Sequence, residues 1–321
     1  MKPVMRNALL LYNPSSGRRQ KSRQQDIRRV EDAFRQAEVK VTRSVTLGPE
    51  RSAEQAREAA ASGCDAVIAC GGDGTIHDIL QGLVGTPTAL GVIPLGTANA
   101  LAHDLGMPLD PVQAAQALVR AQPLRYAVGR VACQNPHDGP TSKYFTVAVG
   151  IGADARLFYK LDQRLKTRWG MAAYYAKGTH LWFTLPLENF EVEFQAQSAL
   201  PICRATVSEL LAVRITEFGG VLRAFAPGAS LSRNDMRLVL FRTKSRLRYL
   251  EYLLRAALGR SWTVPGIELH NARAVTCRVS ETNARRPIYV EADGEVVGTL
   301  PAELSVIPNA FTLLVPETTS G

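Results

Sequence analysis

The chain has 321 residues, 46% hydrophobic and 21% charged, as expected of a soluble globular protein of one large or two ordinary domains whose core needs no disulfide or metal staple. Its 38 Lys and Arg against 29 Asp and Glu leave a formal charge of +9, which suits an anionic partner without choosing among nucleotide, nucleic acid and acidic membrane surface. No apolar run approaches the ~18 residues of a membrane span, and Ala8–Tyr12 is too short for a signal-peptide core; five cysteines without a CxxC spacing argue against a disulfide framework or zinc ribbon and fit a reducing cytosol.

In chain order, Ala8–Tyr12 is a compact apolar run ended by the turn signal Asn13-Pro14. In the basic segment that follows, Ile27, Val30 and Phe34 recur at helical spacing. Val39–Val45 reads as a strand, Ala53–Ala61 as an alanine-rich helix, Asp65–Cys70 as a strand, Ile76–Leu83 as a helix and Ala89–Ile93 as a strand. Helical stretches near Ala98–Leu105 and Val112–Val119 complete the run. This alternation predicts a parallel sheet covered on both faces, with ligands at the carboxyl ends of its strands.

After Pro123 the pattern changes. Val128–Cys133, Tyr144–Val149, Phe190–Phe194, Leu210–Ile215, Met236–Phe241, Ala274–Val279, Pro287–Glu291 and Glu295–Leu300 are short strand candidates punctuated by turn residues. Two helical stretches interrupt them, Ala155–Lys177 and Ser245–Leu258. A mostly antiparallel second domain is expected, a β-sandwich, with the boundary near residues 122–128.

The sharpest chemical signal is Gly71-Gly72-Asp73-Gly74-Thr75, which follows the apolar run DAVIAC and opens a helix. Glycines let a ligand approach the backbone, and a helix N-terminus offers unpaired N–H groups and positive dipole to a phosphate. The same residues also make an ordinary strand-to-helix turn with Thr75 as N-cap. Asp73 tilts the balance, since a carboxylate among phosphate-binding glycines repels the ligand unless Mg²⁺ or a proton transfer uses it. Asn13-Pro14-Ser15-Ser16-Gly17 and Pro94-Leu95-Gly96-Thr97-Ala98-Asn99 follow two other strands of the same sheet, so all three loops are expected at one edge. Other signatures are missing: there is no GxxxxGK[ST], no HExxH and no GxSxG, and five histidines show no metal-ligand spacing. Gly150-Ile151-Gly152-Ala153-Asp154-Ala155 matches GxGxxA, but its surroundings read as antiparallel, which disfavours a dinucleotide site.

GGDGT at 71–75, NPSSG at 13–17 and PLGTAN at 94–99 resemble the motifs of the diacylglycerol kinase catalytic domain family, which includes diacylglycerol, sphingosine and bacterial lipid kinases. GIGADA at 150–155 and EADGE at 291–295 resemble its two later motifs, in the same order. GGDGT alone is shared with NAD kinases, so the later motifs decide. The resemblance implies an α/β nucleotide-binding domain with a NAD-kinase-like parallel sheet over 1–125, an antiparallel β-sandwich lipid-substrate domain over 126–304, and an ATP cleft between them. It also implies that the segment 305–321 returns to the first domain.

Site residues follow from the same resemblance. Asn13 and the 71–77 segment, with Gly71, Gly72, Gly74 and Thr75, would hold ATP, with Thr46 and Thr97 beside the nucleotide. Asp73 would be central to catalysis or to Mg²⁺ placement, and Glu295 resembles the family's proposed proton acceptor. Asp154 matches an acid that contacts the lipid head group in sphingosine kinases. Some bacterial members hold a second, structural Mg²⁺ in an acidic turn before a late strand. Here that stretch is Ser232-Arg233-Asn234-Asp235-Met236-Arg237, with arginines where acids are usual, so Asp235 is a candidate ligand of a doubtful site. Without the resemblance, Asp293-Gly294 is a hairpin turn and Glu295 a solvated side chain; a turn at a sheet edge can also project Glu295 toward a cleft.

A lipid kinase without a spanning helix must work at an interface. Leu247, Leu250, Leu254 and Leu258 form a helical stripe among Arg242, Lys244, Arg246, Arg248, Arg255 and Arg260. That pattern suits either a membrane-surface helix or a core-facing one with solvated arginines. Arg156 to Arg168 with Trp169, Tyr174, Tyr175, Trp182 and Phe183 is a second candidate, for an acyl pocket or for core packing. The expected function is an ATP- and Mg²⁺-dependent lipid kinase acting on a hydroxyl of a lipid such as diacylglycerol or a sphingoid base, cytoplasmic and peripherally membrane-associated. The alternatives are a NAD kinase-like phosphotransferase and a non-catalytic nucleotide- or lipid-binding regulator. The expected partners are ATP and a lipid at a membrane surface; a homodimer stays open, and no motif points to nucleic acid.

Overall fold

The computed structural model describes residues 5–17, 23–136, 138–152, 187–196, 202–218, 225–259, 263–280 and 286–317. The readings that rest on 153–186, including Asp154, the 155–177 helix and its aromatic residues, lie outside the described residues, as does Arg260. The chain divides into two compact units, one from residues within 1–128, 217–220 and 307–321, the other from residues within 129–216 and 221–306.

The first unit alternates strand and helix: β1 (Asn7–Tyr12), α1 (Arg23–Gln36), β2 (Lys40–Val45), α2 (Pro49–Ala61), β3 (Ala66–Gly71), α3 (Asp73–Leu83), β4 (Ala89–Pro94), α4 (Ala100–Asp104) and α5 (Pro111–Arg120). The elements that follow are β5 (Gln122–Asn135), β6 (Gly139–Phe145), β7 (Ala148–Gly152), β8 (Phe190–Ala196), β9 (Ile202–Val207), β10 (Glu209–Val213), β11 (Met236–Phe241), α6 (Arg246–Ala257), β12 (Ile267–Val279), β13 (Tyr289–Ala292) and β14 (Glu295–Val315).

In the first unit the strand order is β2-β1-β3-β4, all parallel. The end of β14 extends this sheet, with Thr312 and Leu313 parallel to Ala89 and Leu90. Every residue of β3 (AVIACG) and β4 (ALGVIP) is buried, as parallel strands covered on both faces must be. β2 is the edge, with no residue fully buried. α1 buries Ile27, Val30, Ala33 and Phe34, the stripe its spacing predicts. α2 buries Ala53, Ala56 and Ala59, and a Cβ on Gly82 of α3 would lie 2.1 Å from the Ala53 carbonyl oxygen, so small residues bring these two helices into contact. Asp110 caps α5 by accepting from the N–H groups of Val112 and Gln113, each at 3.0 Å, with Pro111 at the first helical position.

In the second unit all described pairings are antiparallel, in the order β13-β7-β10-β11-β12-β8-β9. β14 pairs with β13 through residues 295–299 and with β12 through residues 302–305. A strand that changes partner joins the sheets of a sandwich at a corner. Val149, Ile151, Leu210, Leu238, Val275 and Val290 point into the enclosed core. The predicted architecture, an α/β domain followed by an antiparallel β-sandwich, is the one observed.

Two strand readings need correction. Tyr144–Val149 is two strands, because the chain leaves β6 at Phe145 and enters β7 at Ala148. β9 falls outside the predicted strands: its first five residues are exposed or half-buried, so no apolar run marks it.

Candidate functional site

In the first unit the parallel register levels the strand ends, pairing Tyr12 with Val45 and Cys70, and Gly71 with Pro94. The loops after β1, β2, β3 and β4 therefore leave one edge of the sheet. Backbone hydrogen bonds join them at their roots: Asn13 N–H to Cys70 O at 3.0 Å, Leu95 N–H to Gly71 O at 2.8 Å, and Thr46 N–H to Tyr12 O at 3.0 Å. Side chains join them further out. Asn13 Nδ2 donates to Thr75 Oγ1 at 3.3 Å, while Asn13 Oδ1 accepts from Ser15 N–H at 2.9 Å. In the third loop Asn99 is left-handed at φ 51, and its amide brackets Gly96, accepting from the Gly96 N–H at 2.8 Å and donating to the Gly96 carbonyl at 3.2 Å.

α3 begins at Asp73 with Gly72 as its N-cap, so Thr75 lies in the first turn and is not the cap expected from sequence. The first intrahelical bond is Ile76 N–H to Gly72 O at 3.1 Å, so the amides of residues 73–75 precede it and face the space beyond the helix end. Amides and dipole there favour an anion. Asp73 is half-buried, with its Oδ1 shielded from solvent. Thr97 is exposed and Thr46 half-buried. Thus Asn13, Thr46, Gly71, Gly72, Asp73, Gly74, Thr75 and Thr97 all gather at one edge.

Arg23, which no motif marks, lies among these loops. It is buried at the start of α1 and donates through Nη2 to the carbonyls of Ser16 and, at 3.2 Å, Leu95. Burial lowers its pKa, partly offset by Asp26. The guanidinium stays charged, because the ordinary value lies so far above neutral pH. A fixed positive charge thus lies between the first and third loops.

In the second unit, Asp293 and Gly294 have φ of 50 and 87 between the paired residues Ala292 and Glu295. Left-handed conformation at both central positions fits a type I′ hairpin turn, the local reading of Asp-Gly. The Asp293 carboxylate accepts from the N–H groups of Thr146 (2.9 Å), Val147 (2.9 Å) and Ala148 (3.1 Å). Those are the residues at which the expected strand 144–149 breaks. Glu295 is the exposed first residue of β14.

Two buried acids nearby were not singled out by sequence. Glu291 accepts from Gly294 N–H at 2.8 Å and pairs across from Gly150, while Glu209 pairs across from Gly152. A Cβ on Gly150 would lie 2.8 Å from Glu291 Oε1, and one on Gly152 3.4 Å from Glu209 Oε2. Gly150 thus makes room for the Glu291 carboxylate and Gly152 for the Ser208 carbonyl, 2.8 Å from where its Cβ would lie, and the antiparallel pairing of β7 with β10 and β13 is not that of a dinucleotide βαβ turn.

Asp235 is engaged by neighbouring side chains. Arg233 holds its carboxylate at 2.7 and 2.5 Å, and Asn271 Nδ2 donates to it at 3.1 Å. Burial alone would raise the Asp235 pKa, but these bonds and the charge of Arg233 and Arg214 leave it lowered. Arg214, fully buried, donates to the carbonyls of Asp235 (3.0 Å), Leu231 (3.2 Å) and Arg233 (3.3 Å). Burial pulls its pKa down to about 10, against the pull of Asp235 and Asp293. Guanidinium groups therefore take the oxygens that a cation in this turn would need, and the residues do not suit a second Mg²⁺. Among the described residues no cluster of three or more His, Cys, Asp or Glu could hold a metal.

Two family models match the chain. Residues 7–131 match the diacylglycerol kinase catalytic domain, and residues 147–315 match the YegS C-terminal NAD kinase beta sandwich-like domain. The chain is 28% identical over 317 residues to a diacylglycerol kinase of Bacillus subtilis, covering 98% of this chain and 97% of that one. Its fold is similar to the crystal structure of a diacylglycerol kinase from Bacillus anthracis, at TM-score 0.74 and 19% identity over 98% of each chain. It is less similar to yeast NADH kinase complexed with NADH, at TM-score 0.51 and 9% identity over 98% and 85% of the two chains.

Proposed function

The chain belongs to the diacylglycerol kinase catalytic domain family, with the YegS-type C-terminal domain, and from that premise we propose that it is an ATP- and Mg²⁺-dependent lipid kinase acting on a hydroxyl of a lipid such as diacylglycerol or a sphingoid base. The observation that carries this reading is the gathering of three glycine- and hydroxyl-bearing loops, with the N-terminus of α3, at one sheet edge.

In this reading the amides of residues 73–75 and the loops at Asn13 and Gly96 hold the phosphates of ATP, and Thr46 and Thr97 place the rest of the nucleotide. Arg23 adds a fixed positive charge to the loop cluster. Mg²⁺, when carried on the triphosphate, neutralises charge on the transferred group, and Asp73 is the carboxylate assigned to hold it. The lipid hydroxyl oxygen forms the new bond to the γ-phosphorus as the bond to ADP breaks, and a carboxylate accepts the hydroxyl proton. With Asp73 assigned to the metal, Glu295 is the carboxylate assigned to that proton, and Asp293 fixes the turn that carries Glu295. We place the protein in the cytoplasm, meeting its lipid at a membrane surface; no described helix is long and apolar enough to cross a membrane.

A NAD kinase-like activity is the second reading, favoured by the fold likeness to yeast NADH kinase. Asp73→Asn tests the assigned chemistry. Turnover should fall by at least about a hundredfold with ATP binding and circular dichroism retained. A folded variant with ordinary turnover would remove Asp73 from the mechanism.

A further inference from the structure

The leucine stripe of α6 faces outward. Among the described residues nine large apolar side chains are exposed, and four of them lie on this one element and its C-cap: Leu247, Leu250 and Leu254 in the helix and Leu258 capping it, at 77%, 45%, 56% and 70% exposure. At about 100° per residue these four fall within an arc of about 80°. The opposite face is fixed to the second unit. Tyr249 stacks on Phe241 with ring centroids 4.4 Å apart, and its hydroxyl shares a hydrogen bond of 2.9 Å with Ser208 Oγ. Tyr252 meets Phe225 and Phe241 edge-on at 5.5 and 5.6 Å and donates to the Phe225 carbonyl. The helix cannot roll its leucines inward without breaking these contacts.

Charge identifies what the stripe meets. From Arg242 to Arg255 the chain carries five cations and one acid, Glu251. On the same helical wheel Arg246 flanks one side of the leucine arc, and on the other side Glu251 borders the arc with its two partners Arg255 and Arg248 just beyond it. Glu251 pairs with Arg248 at 3.5 Å and Arg255 at 2.5 Å, and Glu268 pairs with Arg242 at 2.8 Å, so the acids do not cancel the surplus of the segment. An apolar strip between cationic borders matches an anionic bilayer, with leucines at the acyl boundary and cations among the head-group phosphates. A second copy of the chain, packed stripe to stripe about a two-fold axis, would set cation borders against each other.

We propose that α6 is the element by which this protein docks onto an anionic phospholipid surface. The proposal deepens the lipid-kinase reading and rests on it for its purpose, though not for its geometry.

The test uses the full chain and the triple variant Leu247→Gln, Leu254→Gln, Leu258→Gln, whose side chains are exposed and whose fold is checked by circular dichroism. Both are sedimented with vesicles of phosphatidylcholine alone and of phosphatidylcholine with phosphatidylglycerol in equal parts. The unmodified chain should sediment with the anionic vesicles, and the variant should partition about a hundredfold less. Its turnover on a monomeric short-chain diacylglycerol should stay unchanged while turnover on a vesicle-embedded one falls. In a separate variant, Leu254→Trp, the tryptophan emission should shift to the blue on anionic vesicles. Equal sedimentation of both chains, or no blue shift, overturns the docking role. So does a dimer in the unmodified chain that the triple variant loses while neither binds vesicles. Vesicle binding that depends on the leucines, with no phosphoryl transfer to any lipid, would overturn the kinase reading and leave the docking helix standing.

Discussion

A Cβ placed on Gly96 would lie 2.5 Å from the Cα of Gly72 and 2.8 Å from Asn99 Oδ1. The second and third loops therefore meet backbone to backbone. Gly96→Ala must push them apart, since a Cα cannot swing aside as a side-chain tip can. The substitution should cost about 1–3 kcal/mol of stability and weaken ATP binding at least about tenfold, as read by thermal unfolding and calorimetric titration. Unchanged affinity in a destabilised protein would mean that the loops' spacing is structural only.

Asp293 and Glu295 stand two residues apart with different duties. Asp293→Ala strips the acceptor from three backbone amides and should lower stability by about 3 kcal/mol. Glu295→Gln alters an exposed side chain and should leave stability within about 0.5 kcal/mol. Its turnover should fall while ATP affinity holds. Denaturant unfolding beside steady-state kinetics separates the two, and equal losses of binding and turnover in Glu295→Gln would turn its role into one of binding.

The turn around Asp235 is held by guanidinium groups, so its stability should not depend on metal. Without nucleotide, the melting temperature should be the same in a chelator and in millimolar Mg²⁺; a rise with Mg²⁺ would contradict the account. Arg214→Met would leave the carbonyls of Leu231, Arg233 and Asp235 without that donor and should cost about 3–5 kcal/mol. The Asp235 carboxyl is lowered in the folded state from its ordinary 3.8. Its contribution is therefore present above that value and lost as pH falls through the lowered one. Asp235→Asn should flatten the acid limb of stability against pH.

None of the five cysteines is disulfide-bonded, and they should divide by access. Burial pushes Cys133 up to about 11 and raises Cys70 and Cys277 further. Cys64 and Cys203 are half-buried. A thiol-specific disulfide reagent at mildly alkaline pH should label two positions rapidly in the native protein and the other three only on unfolding. Fast labelling at Cys70 would show that the first sheet opens.

What the sequence discloses here is local. β3 and β4 are legible because a strand buried on both faces is apolar at every position. The Asp293-Gly294 turn is legible because two left-handed residues in a row demand that composition. The destination of the Asp293 side chain is not, since its partners lie some 145 residues earlier. That long-range bonding is also why Tyr144–Val149 breaks where its own pattern predicts continuity. Asn13 and Thr75, bonded across 62 residues, could be grouped only through the expectation that parallel strands end level. Arg23 and Arg214 look like ordinary solvated cations in sequence, because nothing local signals that carbonyls from other loops will surround them. The leucines of α6 show the limit of periodicity. A stripe can be seen, but whether it or the Tyr249–Tyr252 face turns inward depends on what the rest of the fold presents to it.

The central claim is phosphoryl transfer to a lipid hydroxyl. Purified protein would be given γ-labelled ATP with Mg²⁺ and a panel of lipids in mixed micelles, diacylglycerol and sphingoid bases among them, with NAD in a parallel reaction. The account predicts label in one lipid class, none in NAD, and none in either with Asp73→Asn. Label in NAD, with every lipid unlabelled, would contradict it.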